Sequence, residues 1–156
     1  MGKNKQNKLC NVKIPKDSED KLPILPIEPK NGVVLGMTFI RLNGDYGLDG
    51  FCKHHKKISD RNVFEEFIEL QNNVRTFKDM TQFLMEYSPH NGQPKRSEFQ
   101  QQEVKRLKEK YGFEADEGYI KHIHAKPKGK GETVIWGYIY DNIFEVLAID
   151  TKHQSI

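Results

Sequence analysis

Two apolar runs, TVIWGYIY at residues 133–140 and IFEVLAI at residues 143–149, are separated only by Asp141 and Asn142. Both are rich in β-branched and aromatic residues, and neither is long enough to need a helix. A two-residue Asp-Asn break between such runs is a tight-turn signal, so a β-hairpin is expected. The second run is apolar on both faces apart from Glu145, which suits an internal strand covered on at least one side. YIKHIHA at residues 119–125 has the same character. The last third of the chain is therefore expected to be a three-stranded antiparallel meander.

Upstream the period changes. Val63, Phe64, Phe67, Ile68, Leu70 and Val74 recur at three- and four-residue steps, which predicts a helix from about residue 60 to residue 74, capped by Ser59 or Asp60. Thr76 followed by Asp79 resembles a capping box, and Phe77, Met80, Phe83, Leu84 and Tyr87 extend an apolar face as a second helix or a kinked continuation. The two prolines and Asn-Gly of residues 88–94 end that pair. Ser97 and Gln100 form another capping-box pattern before a charged helix that stops at Gly112, with a thin stripe of Phe99, Val104, Leu107 and Tyr111. Before the helices, VVLGMTFIRL at residues 33–42 predicts a strand. The glycine-rich stretch DYGLDGFCKHHKK predicts a loop or irregular turn. The expected fold is α+β: an N-terminal strand, two or three helices, then the meander, with the helices packed on one face.

Residues 1–31 differ from the rest. Residues 1–30 carry seven lysines against four acids, and Pro15, Pro23, Pro26 and Pro29 interrupt any helical period. Proline fixes its own φ and restrains its predecessor, so an extended or partly disordered basic arm is expected ahead of one α+β domain at residues 32–156. Its segment LPILPIEP is apolar enough to dock on a protein partner. With 156 residues, a large multidomain enzyme is not expected. No run approaches the roughly 20 apolar residues of a membrane span. A cytosolic protein without a membrane partner is expected, and Cys10 and Cys52 suggest no disulfide framework.

The densest polar constellation is KHIHAKPKGKG at residues 121–131. Alternation along a strand places His122 and His124 on one face together with Lys126. Imidazoles near neutrality exchange protons, lysines neutralise phosphate charge, and glycines let backbone N–H groups approach an anion, so this strand and loop suit phosphodiester chemistry. Lys121, Lys126, Lys128 and Lys130 are the candidate nucleic-acid contacts, although a solvated hairpin loop has the same composition. His153 follows the last strand in Asp150-Thr-Lys-His. There Asp150 either orients an imidazole or accepts backbone N–H groups in a strand-end turn. His122, His124, Asp150 and His153 also form a conceivable metal set, though no cofactor is expected. His54, His55, Lys56 and Lys57 form a second basic cluster, and Trp136, Tyr138 and Tyr140 share a strand face as core or as a stacking platform.

Two resemblances follow from these residues. The ending TVIWGYIYDNIFEVLAIDTKH resembles a set of small bacterial and phage-borne proteins at Gly137, Phe144, Val146, Asp150 and His153. The order of a strand, a helical hairpin and a three-stranded meander is similar to the RelE/ParE-type toxins, small bacterial proteins that cut mRNA on the ribosome or poison gyrase. That resemblance implies catalytic roles for His122, His124, His153 and Tyr138 with Lys126 beside them, RNA or the ribosome as target, and an antitoxin or host factor as protein partner. The strand arginine of the RNA-cutting members has no counterpart, because Arg41, Arg61, Arg75, Arg96 and Arg106 all fall outside the meander. The alternative is a non-catalytic accessory factor that binds a protein through residues 1–31.

Overall fold

Ile135 and Trp136 enter separate hydrophobic clusters on opposite sides of one strand, and that division sets the architecture. The computed structural model describes residues 32–53, 62–88 and 98–155. The elements are β1 (Val34–Gly36), α1 (Leu48–Lys53), α2 (Val63–Val74), α3 (Met80–Tyr87), α4 (Glu98–Tyr111), a 3₁₀ turn (Glu117–Tyr119), β2 (Ile120–Lys126), β3 (Lys130–Tyr140) and β4 (Ile143–Asp150). The sheet order is β1-β4-β3-β2, with β1 parallel to β4 and the other pairs antiparallel. The protein is thus α+β, with an N-terminal strand, helices and a C-terminal meander.

The β3–β4 hairpin turns at Asp141-Asn142, with Tyr140 opposite Ile143 and Asp141 at φ 50. β4 lies inside the sheet, as its apolar faces require. On the first face, Phe51, Val63, Phe67, Leu70, Phe83 and Tyr87 pack against Ile123, Ile135, Phe144, Val146 and Ile149. Each such side chain contributes about 1.5–3 kcal/mol when fully buried. On the second face, Phe99 and Leu107 of α4 cover Ile120, Val134, Trp136, Leu147 and Ala148. One-sided packing therefore holds for α1, α2 and α3, while α4 adds a layer on the other side. Its thin stripe suffices because only Phe99, Gln100, Glu103 and Leu107 are buried.

Several boundaries differ from the sequence expectation. The strand expected at residues 33–42 is ordered as β only over Val34–Gly36. Beyond Gly36 the Phe39 N–H donates to Glu145 Oε1 at 2.9 Å rather than to a strand, and Arg41 N–H regains β4 at Leu147 O. The ladder also slips by one residue near Leu147, where Trp136 faces Ala148 and Gly137 faces Val146. The glycine-rich loop contains α1 instead. A Cβ on Gly50 would stand 2.7 Å from Gly44 O, so glycine here lets the preceding turn pack on the helix while Phe51 anchors it in the core.

α2 starts at Val63 with Asn62 accepting from Glu65 N–H; Ser59 and Asp60 lie outside the described residues. α3 is a separate helix capped by Asp79, which accepts from Gln82 N–H at 2.9 Å. Thr76 instead donates its hydroxyl to Asn73 O, so it is not the cap. Gln100 donates to Ile120 O at 2.7 Å, tying α4 to β2, and its expected cap partner Ser97 lies outside the described residues. Ser97, residues 1–31 and His54 to Lys57 fall outside the described residues, as do 89–94 of the expected turn. No helix among the described residues is long and apolar enough to cross a membrane.

Candidate functional site

β2 is an edge strand, and its alternation carries His122 and His124 to the second face, opposite Trp136 and Val134 in register. The two imidazole centroids are 5.9 Å apart, and His122 lies 5.0 Å from the Trp136 ring. His153 comes to the same place from the other end of the chain. It adopts φ 57 just beyond β4, which swings its exposed ring to 5.2 Å from His124. Three of the four proposed catalytic residues thus form a row. His124 is buried, with Nδ1 2.7 Å from Gly131 O. A carbonyl oxygen only accepts, so Nδ1 carries the proton and Nε2 is the atom that gains or loses one.

Tyr138 does not join this row. It faces Ile120 in register and packs edge-on against Phe113 at 5.3 Å and near Tyr119 at 6.0 Å. The aromatic face is not a continuous stacking platform either. Trp136 is buried under Phe99 at 4.9 Å and donates Nε1–H to Ser155, and only Tyr140 of the three is well exposed.

The four candidate lysines separate as well. Lys121 precedes His122 by one residue and so points to the opposite face. Lys126 forms an ion pair with Glu66 of α2 at 3.2 Å, and that buried carboxylate also accepts from Thr133. Lys126 therefore anchors the hairpin to α2 and does not share the imidazole face. The sequence contains no sign of this pairing, because Glu66 reads as one of two acids in a helical first turn. Lys128 and Lys130 are exposed. The loop they flank is shorter than expected: Lys126 pairs with Lys130, and Lys128 and Gly129 both take φ 61 in a three-residue turn. Lys128 N–H donates to Glu86 O at 2.5 Å, which docks the turn on α3.

Asp150 takes the structural role. Its carboxylate accepts from the N–H groups of Lys152 at 2.9 Å, Gln154 at 2.5 Å and Ser155 at 2.6 Å, so it shapes the final turn that positions His153 and does not touch an imidazole. Among the described residues no group of three His, Cys, Asp or Glu is placed to hold a metal ion. Asp150 also acts at a distance. Burial first, then the Asp150 and Asp45 charges, push the Tyr46 hydroxyl above its usual value, with Arg41 opposing.

The second face holds a polar network that the sequence reading missed. Glu103, fully buried on α4, pairs with Arg41 and Arg106. Arg106 also donates to Phe39 O at 2.7 Å, and the Arg41 guanidinium stands 5.2 Å over the Phe99 ring. Arginines absent from the meander thus reach its second face from the β1–α1 connection and from α4. One signal was available: Phe99, Glu103 and Leu107 follow at four-residue steps, which places the glutamate in the buried stripe.

No protein-family model, no curated protein and no solved structure matches this chain.

Proposed function

We propose that this protein binds single-stranded RNA and cleaves its phosphodiester backbone by imidazole acid–base chemistry, in the manner of the RelE-type toxins that its layout resembles. The observation that carries the proposal is the row of His122, His124 and His153, which brings together residues from β2 and from the turn after β4. Three imidazoles in succession suit a reaction that must both remove and return a proton near neutral pH.

His153, the exposed ring, takes the proton of a ribose 2′-hydroxyl as that oxygen attacks phosphorus. A charged imidazole of the pair behind it returns a proton to the departing 5′-oxygen. The products are a 2′,3′-cyclic phosphate and a 5′-hydroxyl. Lys128 and Lys130, exposed at the hairpin next to His124, offset the charge that grows on the phosphoryl oxygens. Lys126 and Tyr138 have no part in this scheme, the first because Glu66 holds it and the second because it packs among Phe113 and Tyr119.

The test is single-turnover cleavage of an end-labelled RNA by the full chain, with product ends identified. The expected result is cyclic-phosphate ends, and a loss of about 10²-fold or more in both His153→Ala and the His122→Ala/His124→Asn pair. Asparagine keeps a donor for Gly131 O, and a melting curve verifies that each variant folds. Unchanged cleavage in both variants, or no cleavage by the wild type, removes the catalytic scheme. An RNA-independent partner captured only when residues 1–31 are present would move the function to a protein-binding factor.

A further inference from the structure

The outer face of α4 opens on a shallow groove of about 500 Å³ lined by Gln102, Lys105, Arg106, Glu109 and Lys110. Those positions repeat at three- and four-residue steps, so they form one stripe along the flank of α4 beside its buried residues, with Arg106 three residues after Glu103 and Lys110 three after Leu107. The stripe runs into a bank of aromatic rings. Arg106 holds the Phe39 carbonyl, and Lys110 Nζ lies 5.1 Å from the centre of the Tyr111 ring. Tyr111 packs 5.0 Å from Phe39, which in turn packs 5.4 Å from Phe113. Tyr111 is 38% exposed, with the other two half-buried behind it. It is therefore a ring fixed from behind with a surface left for a visitor.

The charge of this region is positive by one, with Arg41, Lys105, Arg106, Lys108 and Lys110 against Glu98, Glu103, Glu109 and Glu114. Glu109 lies 3.8 Å from Lys105, Glu114 lies 3.1 Å from Lys108, and Glu103 is shared by Arg41 and Arg106. Lys110 has no carboxylate among these pairs, and one guanidinium of the two on Glu103 exceeds what a single carboxylate neutralises. Cations at helical spacing beside a braced aromatic ring fit a single-stranded nucleic acid, whose phosphates follow the charges while a base stacks. A duplex keeps its bases paired and offers no free base to Tyr111.

We infer that α4 is the track on which the RNA lies, with phosphates on Lys105, Arg106 and Lys110 and a base on Tyr111. This rests on the RNA reading above and adds a binding surface separate from the imidazole row.

The experiment measures binding of a fluorescently labelled 12-nucleotide single-stranded RNA to the full chain over a range of salt. The proteins are wild type, Lys105→Glu/Lys110→Glu, Tyr111→Ala, and Lys128→Ala/Lys130→Ala as comparison. Lys105, Lys110 and Tyr111 lie on the surface, and a melting curve verifies that each variant folds. The Lys105→Glu/Lys110→Glu pair should bind at least tenfold more weakly, with a salt slope lower by about 1.4 for two lost phosphate contacts. Tyr111→Ala should bind about tenfold more weakly with its slope unchanged. Wild-type affinity in both variants, with affinity lost at Lys128 and Lys130 instead, overturns the α4 track and leaves the RNA reading standing. A wild type that binds no RNA overturns both.

Discussion

Replacing Gly137 by alanine should destabilise the sheet at the centre of its β3–β4 pair. Gly137 sits opposite Val146, at the point where the ladder slips by one residue. A Cβ built there would lie 2.5 Å from Phe144 Cζ and closer still to Cε1, whereas carbon atoms rest at about 3.5–4.0 Å. The ring would have to retreat by more than about 1 Å. It has no room, since Phe144 is fully buried and packs edge-on to Phe83 at 5.8 Å, which is itself backed by Tyr87 at 5.2 Å. Overpacking of this kind costs about 1–3 kcal/mol, offset by about 0.5–1 kcal/mol gained when a glycine leaves a strand interior. The net expectation is a loss of roughly 1–2 kcal/mol, or a fall of roughly 3–8 °C in Tm. Urea unfolding followed through the buried Trp136 gives the free energy directly. The reasoning also predicts non-additivity: in Gly137→Ala/Phe144→Leu the smaller side chain makes space, and the pair should cost about 1 kcal/mol less than the sum of the singles. A stabilised Gly137→Ala, or strict additivity, would refute it.

Three further outcomes follow from the polar contacts. Asp150→Asn removes the charge that three backbone N–H groups donate to, and should lower unfolding stability by about 2–3 kcal/mol in urea melts; an unchanged midpoint would show that the final turn holds without it. Glu103→Leu leaves Arg41 and Arg106 with unpaired charge, and because their side chains keep 24% and 18% exposure the loss should sit near about 3 kcal/mol, with part recovered in Glu103→Leu/Arg106→Met. Burial raises the Tyr87 hydroxyl above its ordinary value of 10.0, against a weaker opposing hydrogen bond from Asn73. Its contribution is therefore full below pH 10, where both states are protonated, and falls as the unfolded chain releases its proton above that pH. Tyr87→Phe should flatten the decline in unfolding free energy above about pH 10, and an identical decline in the variant would exclude Tyr87 as its source.

The parts of the fold written in local pattern were legible in the residues, and the parts made by distant convergence were not. The meander followed from period and from a two-residue turn, and α2 from its apolar spacing. β1 is expected to run longer because VVLGMTFIRL is apolar apart from Thr38 and Arg41, and nothing near it announces that Glu145 will take the Phe39 N–H. α1 was hidden by glycines that act as spacers for close packing instead of breakers. In the candidate site the same rule holds. His122 and His124 share a face by strand alternation, and Asp150 shapes the turn that brings His153 to them. Lys126 was misplaced because its partner Glu66 is 60 residues away, and the Arg41–Glu103–Arg106 network joins segments about as distant. The ending TVIWGYIYDNIFEVLAIDTKH also acquires physical content. Gly137 makes space for Phe144, Val146 faces Gly137, and Asp150 braces the turn on which His153 takes a positive φ.

The most direct measurement is the affinity of the full wild-type chain for a short single-stranded RNA at about 50 and 200 mM salt, because phosphate contacts leave a steep salt dependence. The account predicts saturable binding at the lower salt that weakens by about tenfold or more at the higher, followed by slow appearance of cyclic-phosphate ends. Absence of binding at the lower salt, or binding indifferent to salt, would contradict it.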